Sequence, residues 1–147
     1  MRIAFIFLSV PVLLGCFVLT AACGKKGDPE PRDEARTFRW AEAEAAMAGP
    51  CLAFRGVLEG AFANLDGIRV EVAPVQGSEN CPGCPFVPRE TAQFSPRDAG
   101  FDPASGAVTF AYCPGPAPAY LWRIIGINIY TALPHAVSPV KLTGNLP

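Results

Sequence analysis

This 147-residue chain contains a single histidine, carries almost no net charge and has no nucleotide-binding motif. His135 is the only histidine, which excludes a metal site built from several histidines and leaves little basis for a histidine-dependent catalytic triad. The formal net charge is −1, too small and too mixed for a nucleic-acid-binding surface. No glycine-rich phosphate loop and no recognisable pair of catalytic carboxylates is present. We therefore expect a protein that is not an enzyme, with no cofactor, no metal, no nucleic-acid partner and no evident small-molecule substrate.

Turn-forming residues are abundant. The 16 prolines and 14 glycines are many for a helical protein and typical of short strands joined by turns. If residues 1–22 are removed, the 147 residues less these 22 leave 125, the size of one ordinary domain.

The first 22 residues have the layout of a secretory signal. Arg2 supplies the charged start, residues 3–22 are apolar, and two alanines precede Cys23. A cysteine directly after such an exit resembles the lipobox of bacterial lipoproteins. In that family the cysteine, here Cys23, receives a diacylglycerol, becomes the mature N-terminus after cleavage, and is then N-acylated. The resemblance predicts a signal peptide over residues 1–22 and a membrane partner reached through the lipid.

Two alternatives remain open for this segment. Residues 3–22 are long enough to span a bilayer as an uncleaved anchor, although lysines at 25 and 26 oppose the expected charge distribution. Cys16 follows Leu-Leu-Gly and also resembles a lipobox, but cleavage there would give a strongly apolar mature start. The lipobox position three before Cys23 is Thr20 rather than the usual leucine.

The residues after Cys23 predict a tether. Residues 24–31, Gly-Lys-Lys-Gly-Asp-Pro-Glu-Pro, are similar to the start of many short outer-membrane lipoproteins, including those that accompany the lipopolysaccharide-transport pore. Because Gly24 stands where an aspartate would mean retention in the inner membrane, the resemblance implies the periplasmic face of the outer membrane. Residues 23–36 are proline-rich, charged and without large apolar side chains, so we expect an extended or disordered spacer.

The rest of the chain predicts short strands. Residues 37–40 form a short alternating strand, and residues 41–50 read as a short helical or irregular connector because alanine and glutamate favour helix. In residues 68–72, Ile68, Val70 and Val72 point inward, Arg69 and Glu71 meet water, and Pro74 ends the strand. Further strands are expected at 52–58, 90–94 and 107–113, with turns at 59–60, 64–67 and 102–106.

The last third carries a fold resemblance. Phe-Ala-Tyr-Cys-Pro-Gly at 110–115 leads into Tyr-Leu-Trp-Arg-Ile-Ile-Gly-Ile-Asn at 120–128, which looks like the E strand, corner and F strand of a fibronectin type III domain. The resemblance implies an all-β, fibronectin type III/immunoglobulin-like sandwich over residues 37–147, with a last strand at 138–142. Tyr120 would be the tyrosine-corner residue, its hydroxyl bonded to backbone upstream. Such domains serve mostly as binding or spacer modules, which implies a binding or structural role with a possible envelope protein partner.

The expected F strand is apolar on both faces. Leu121, Ile125, Ile127 and Ile129 point away from the face of Tyr120. Either the C-terminal tail or the loop at 76–102 covers these side chains, or they form a partner surface.

Four cysteines lie in the predicted domain. An oxidising compartment makes disulfides among Cys51, Cys81, Cys84 and Cys113 the default, and three pairings are possible. In the fibronectin arrangement strands B and E are neighbours, which implies a Cys51–Cys113 disulfide and leaves Cys81 and Cys84 to close their own small loop.

Two other interpretations of the cysteines stay open. Cys81-Pro-Gly-Cys84 could be a periplasmic thiol–disulfide redox pair, although such sites place the first cysteine at a helix N-terminus and no helical pattern follows here. A zinc site made of all four cysteines is the third interpretation, but the second Cys-x-x-Cys of a zinc ribbon is missing.

Overall fold

Eight β-strands and two single turns of 3-10 helix make up residues 34–75 and 85–144, the parts of the chain that the computed structural model describes. The helical turns are Glu34–Arg36 and Phe62–Asn64. The strands are β1 (Phe38–Ala48), β2 (Cys51–Gly60), β3 (Leu65–Val75), β4 (Glu90–Phe94), β5 (Ala107–Tyr112), β6 (Ala119–Asn128), β7 (Ala136–Val137) and β8 (Lys141–Gly144).

These strands form two antiparallel sheets. The first has the order β1-β2-β5, and the second has the order β4-β3-β6, with β7 and β8 pairing with successive parts of β6. Strands β2 and β5, which correspond to the expected B and E strands, are direct neighbours. The predicted all-β sandwich is confirmed, and the strands at 52–58, 90–94 and 107–113 all form.

The core lies between the two sheets and is built by alternation along each strand. The indole of Trp122 packs edge-on to Phe54 with ring centroids 5.2 Å apart, and Phe54 stacks on Phe110 at 5.0 Å. Aromatic pairs in these geometries stabilise a core beyond the apolar area that they bury. The largest fully buried side chains are Trp122, Tyr120, Phe54, Leu52, Leu58, Ile68, Ile124, Val70, Val72, Val108 and Asn128.

The prediction for residues 41–50 was wrong, because they form no helix or irregular connector. Residues 41–48 continue strand β1, which pairs with β2 along its whole length except at Ala41. The Ala-Glu repeat has a period of two as well as a high helix propensity, and pairing with β2 overrides that weak preference. Gly49 and Pro50 then form a two-residue hairpin turn, with Gly49 at φ +62°, a conformation that favours glycine.

A bulge at Ala41 changes which residues of β1 face the core. Before it, Phe38 and Trp40 point inward; after it, Ala43 and Ala45 do. An extra residue in one strand of an antiparallel pair causes this change of parity. Gly56 pairs with Ala43 just after the bulge, and a Cβ there would stand 2.7 Å from the Trp40 ring, so a side chain at this position would displace the indole.

Strand β3 differs from the prediction in two details. Ile68, Val70 and Val72 are buried as predicted, but Glu71 is also buried, because its carboxylate pairs with Arg123 on the neighbouring strand. Pro74 does not end the strand, which continues to Val75. Its ring nitrogen lies on the β4 side, where pairing with β4 already stops at Val72, so no ladder hydrogen bond is lost there.

Three further boundaries differ from prediction. Residues 59–60, expected to form a turn, are the last two residues of β2 and pair with β1. The turn expected at 64–67 lies earlier, at Phe62–Asn64, and residues 65–67 already belong to β3. The last strand, expected at 138–142, is split into β7 and β8 around residues 138–140. Pro139 has no amide proton to donate. Ser138 still donates its amide to the Ile124 carbonyl at 2.9 Å, and its hydroxyl accepts from the Ile124 amide at 3.0 Å, so a side chain supplies one of the two bonds to β6 at the break.

Candidate functional site

The sandwich has two ends of different construction. The amino-terminal pole comprises the chain at 34–37, the β2–β3 connection at 61–64, the β4–β5 connection at 95–106 and the β6–β7 loop at 129–135. The cystine pole comprises the turn at 49–50, Cys51, and the β5–β6 connection at 113–118. A ten-residue strand is about 33 Å long, which sets the separation of the two poles.

A disulfide joins Cys51 and Cys113 at the cystine pole. Cys51 opens β2 and Cys113 follows β5, and the pairing of Leu52 with Tyr112 places the two cysteines side by side. This is the pairing that the fibronectin resemblance implied. The zinc interpretation with all four cysteines was wrong, because two of the four sulfurs are bonded to each other.

The Tyr120 hydroxyl ties the β5–β6 connection to the same pole. It donates a hydrogen bond to the Gly115 carbonyl at 2.6 Å and accepts one from the Ala117 amide at 2.8 Å, while the ring is buried. The contact to a carbonyl five residues upstream is the geometry of a tyrosine corner. Tyr120 therefore has a structural role here.

Glu90 bridges the two sheets beside the tyrosine corner. Its carboxylate accepts hydrogen bonds from the Tyr112 hydroxyl at 2.9 Å and from the Gly115 amide at 3.0 Å. Desolvation and the neighbouring carboxylate raise the pKa of Tyr112 above its ordinary value. The pair closes the side of the sandwich where β4 and β5 lie at the edges of different sheets.

Cys81 and Cys84 lie outside the described residues. With Cys51 and Cys113 joined, the only pairing left for them within the predicted domain is with each other. Residues 85–88, directly after Cys84, have no helical conformation. A thioredoxin-like site would instead have its first cysteine at the start of a helix.

Asn128 organises the amino-terminal pole. Its side chain is buried, donates a hydrogen bond to the Arg36 carbonyl at 2.9 Å and accepts one from the Tyr130 amide at 2.9 Å. The side chain of Asn64 donates to the same Arg36 carbonyl at 3.1 Å. One buried amide thus holds the chain that leads into β1 against the β6–β7 loop.

The β6–β7 loop presents apolar side chains on an ordered backbone. The Ile129 amide donates to the Asn64 carbonyl, and the Leu133 amide donates to the Tyr130 carbonyl, both at 3.0 Å. Ile129 and Tyr130 are nevertheless exposed, and the Arg36 guanidinium lies 5.0 Å from the Tyr130 ring centroid. His135 is exposed in this loop, as expected of a surface residue, and accepts a long hydrogen bond from the Asn128 amide at 3.4 Å.

Side chains close the gap between β1 and the last strands. Lys141 donates to the Ala43 carbonyl at 2.6 Å, Thr143 donates to the Ala45 carbonyl at 3.1 Å, and the half-buried Trp40 indole donates to the Ala136 carbonyl at 2.9 Å. The first two bonds occupy carbonyl groups at the edge of β1, and the third joins a β1 side chain to the backbone of β7. They therefore limit pairing of that edge with another chain.

The outer face of β6 is partly covered. Ile125 is buried, and Leu121 and Ile127 are half-buried. Phe86, from the predicted loop at 76–102, lies 5.2 Å from the Arg123 guanidinium, and β7 and β8 add Val137 and Leu142 beside β6. The loop thus reaches the outer face of β6 at Arg123 and the tail extends the sheet beside it, while Ile129, Val137 and Leu142 remain exposed.

The residues predicted to carry a lipid or to span a membrane, Cys16 and Cys23 among them, lie outside the part of the chain that the structure describes. Within residues 34–75 and 85–144, no cluster of three or more potential metal ligands occurs and no helix is long and apolar enough to cross a membrane. An open groove at the start of β1 is lined by Thr37, Phe38, Arg39, Glu59 and Gly60, with Arg39 and Glu59 paired across it.

Two structural features, the Asn128 contact and the Glu71–Arg123 pair, had only weak sequence signals. Asn128 falls in the inward register of Tyr120 and Trp122, and a lone amide in such a register indicates a buried polar contact. Glu71 and Arg123 carry opposite charges, but their pairing depends on the register between β3 and β6. That register is a tertiary property that alternation within one strand does not specify.

Comparison with known proteins supports the fold. No protein-family profile and no curated protein matches the chain. Among solved structures, a DUF3823 family protein from Bacteroides ovatus ATCC 8483 is similar, with a TM-score of 0.50 and 9% sequence identity. The alignment covers 73% of this chain and 55% of that chain, so this chain spans about half the length of that protein. At this identity the similarity concerns the fold alone.

Proposed function

We propose that the protein is a lipid-anchored lipoprotein of a bacterial cell envelope, whose sandwich has a non-catalytic binding or structural role facing the periplasm. Acylation at Cys23 and residence in the outer membrane are the finer parts of this proposal. They are supported by the apolar run, the alanines before Cys23 and the Gly-Lys-Lys-Gly segment after it. Several acyl chains on one cysteine would give stable attachment, which a single chain does not.

The non-catalytic part of the proposal is supported by what the polar side chains bind, which is mainly the protein's own backbone. Asn128, Tyr120 and Glu90 each bind loop backbone or a neighbouring strand, and Lys141, Thr143 and Trp40 bind the edge of a strand. Every buried side-chain nitrogen or oxygen in the described residues has a hydrogen-bond partner. A framework whose polar groups are used in this way is suited to holding a fixed surface at a distance from its anchor.

The anchor is tested by the mass of the N-terminal peptide from protein purified out of bacterial membranes. We expect a triacylated peptide that begins at Cys23 in the wild type and in Cys16→Ser. Cys23→Ser should retain an unprocessed N-terminus and lose the lipid mass. A lipid found on Cys16, or an uncleaved N-terminus in the wild type, would overturn the assignment of Cys23.

The binding or structural role is tested in cells. Site-specific crosslinkers placed on exposed positions of the sandwich should capture a defined envelope protein, or deletion of residues 37–147 should weaken the envelope. Trapping of thiols in the same cells distinguishes the redox alternative. Fully oxidised Cys81 and Cys84 agree with the proposal, whereas a mixed disulfide between either of them and another protein would favour thiol–disulfide chemistry.

A further inference from the structure

We propose that the amino-terminal pole is a lipid-contacting surface, in which Ile129 and Tyr130 of the β6–β7 loop rest in the interface of the membrane that carries the anchor. This inference rests on the proposed lipid anchor and adds an orientation for the sandwich. The cystine pole then faces away from the membrane.

The β6–β7 loop exposes apolar side chains on a backbone that hydrogen bonds hold in place. Ile129 is 48% exposed and Tyr130 is 39% exposed, although both belong to a loop fixed by backbone and Asn128 hydrogen bonds. Presenting them costs little additional ordering on contact, because the loop is already held in place. Tyrosine has an apolar ring and a polar hydroxyl, a combination enriched where membranes meet water.

The length of the preceding chain favours lipid as the occupant of this surface. Cys23 and Arg36 are thirteen residues apart, and a coil of that length has a root-mean-square span of about 20 Å. Asn128 and Asn64 fix Arg36 at the amino-terminal pole, beside Tyr130. An acylated Cys23 would therefore keep this pole close to the bilayer on average, whereas the cystine pole lies about one strand length, ~33 Å, further away.

The amino-terminal pole has charges of both signs, so the proposed membrane contact depends on its apolar side chains. Arg36 lies beside Tyr130, and Arg39 pairs with Glu59. Asp66 at the start of β3 and Arg97, Asp98 and Asp102 of the β4–β5 connection are exposed at the same pole. Opposite charges close together give little net attraction to anionic headgroups. We therefore expect the contact to change little with salt and to depend on Ile129 and Tyr130.

The test uses the full lipidated protein reconstituted into vesicles of phosphatidylethanolamine and phosphatidylglycerol that contain lipids brominated along the acyl chain. Bromine quenches tryptophan that lies in the membrane, so Tyr130→Trp reports on the amino-terminal pole. Met47→Trp is the matched control, because Met47 is 40% exposed and lies beside the turn at the cystine pole. The signal from Trp40 and Trp122 is subtracted by means of the wild type.

We expect quenching to be several-fold greater for Tyr130→Trp than for Met47→Trp, and to fall when Ile129→Ser is added to Tyr130→Trp. Ile129→Ser should leave the thermal midpoint nearly unchanged, since surface substitutions have small effects on stability. Equal quenching of the two reporters on vesicles that carry the protein would overturn the lipid contact and leave the anchor standing. Failure of the protein to float with the vesicles would overturn the anchor and the lipid contact together.

Discussion

The two poles of the sandwich hold their connecting segments in place by different kinds of bond. At the cystine pole a covalent bond between Cys51 and Cys113 fixes the ends of β2 and β5, and Tyr120 holds the connection that follows. At the amino-terminal pole a buried amide, Asn128, joins the β6–β7 loop to the chain leading into β1. A disulfide acts mainly on the unfolded chain, whereas a buried amide acts through contacts in the folded state.

The disulfide should affect the stability of the whole sandwich, whereas Asn128 should affect order at one end. A cross-link between residues 62 apart in sequence restricts the whole unfolded ensemble, so its loss should lower the stability of every part of the sandwich. Loss of Asn128 removes contacts to one loop and one segment, so it should loosen that end first. Variants at the two poles distinguish these two effects.

The largest effect is expected from removal of the disulfide. Cys51→Ala with Cys113→Ala should lower the free energy of unfolding by about 4 kcal/mol, the chain-entropy value for a separation of 62 residues. Chemical denaturation of the non-reduced proteins measures it. The matched control is Cys81→Ala with Cys84→Ala, which can open only a very short loop and should cost less. A larger loss in the control would show that the long cross-link is not the main constraint.

Replacement of the buried amide should come next. Asn128→Ala leaves the Arg36 carbonyl and the Tyr130 amide without this partner and should cost about 2–3 kcal/mol. Hydrogen exchange should rise first in residues 129–135 and at the start of β1. Asn64→Ala removes the exposed donor to the same carbonyl and should cost less than about 0.5 kcal/mol. Similar losses in the two variants would mean that burial of Asn128 contributes little.

The tyrosine corner is expected to contribute less. Tyr120→Phe keeps the buried ring but leaves the Gly115 carbonyl and the Ala117 amide without the hydroxyl, for a loss of about 1–2 kcal/mol. Thermal or chemical unfolding measures it. Because this contact lies at the cystine pole, exchange in residues 129–135 should stay as in the wild type. Faster exchange there would indicate that the two poles do not respond independently.

The smallest effect concerns alkaline pH. The pKa of Tyr112 is raised by burial and by Glu90, so the folded state holds the phenolic proton to higher pH than the unfolded chain. This stability is fully present below the ordinary tyrosine value of 10.0 and is lost as the pH rises through the raised folded-state pKa. Tyr112→Phe should therefore show a shallower loss of stability above that value. An unchanged pH profile would assign the alkaline loss to other groups.

Alternation predicted much of the sandwich, and its failures have physical causes. The inward positions of β3, β5 and β6 follow directly from their period of two, which places Trp122 and Ile124 in the core. Residues 41–48 were misassigned because alanine and glutamate favour helix in isolation, while β2 supplies a partner strand that only the tertiary fold reveals.

The contacts that fix the two poles were harder to predict from the sequence. The tyrosine corner and the Cys51–Cys113 pair came from a fold resemblance, because nothing local to Cys51 identifies a partner 62 residues away. The clamp formed by Asn128 depends on where three separate segments meet, at residues 34–37, 61–64 and 129–135. Such meetings are set by strand order and register, which single-strand patterns do not contain.

The disulfide also has a consequence for folding if the protein is exported, as we propose. If the chain crosses the inner membrane N-terminus first, Cys51 emerges before Cys81 and Cys84, and its partner Cys113 emerges last. An oxidant acting on the emerging chain would therefore meet two incorrect partners for Cys51 before the correct one. Correct maturation would then require either slow oxidation relative to transit or a later exchange of disulfides, in which a thiolate attacks the incorrect bond and is released when the native pair forms.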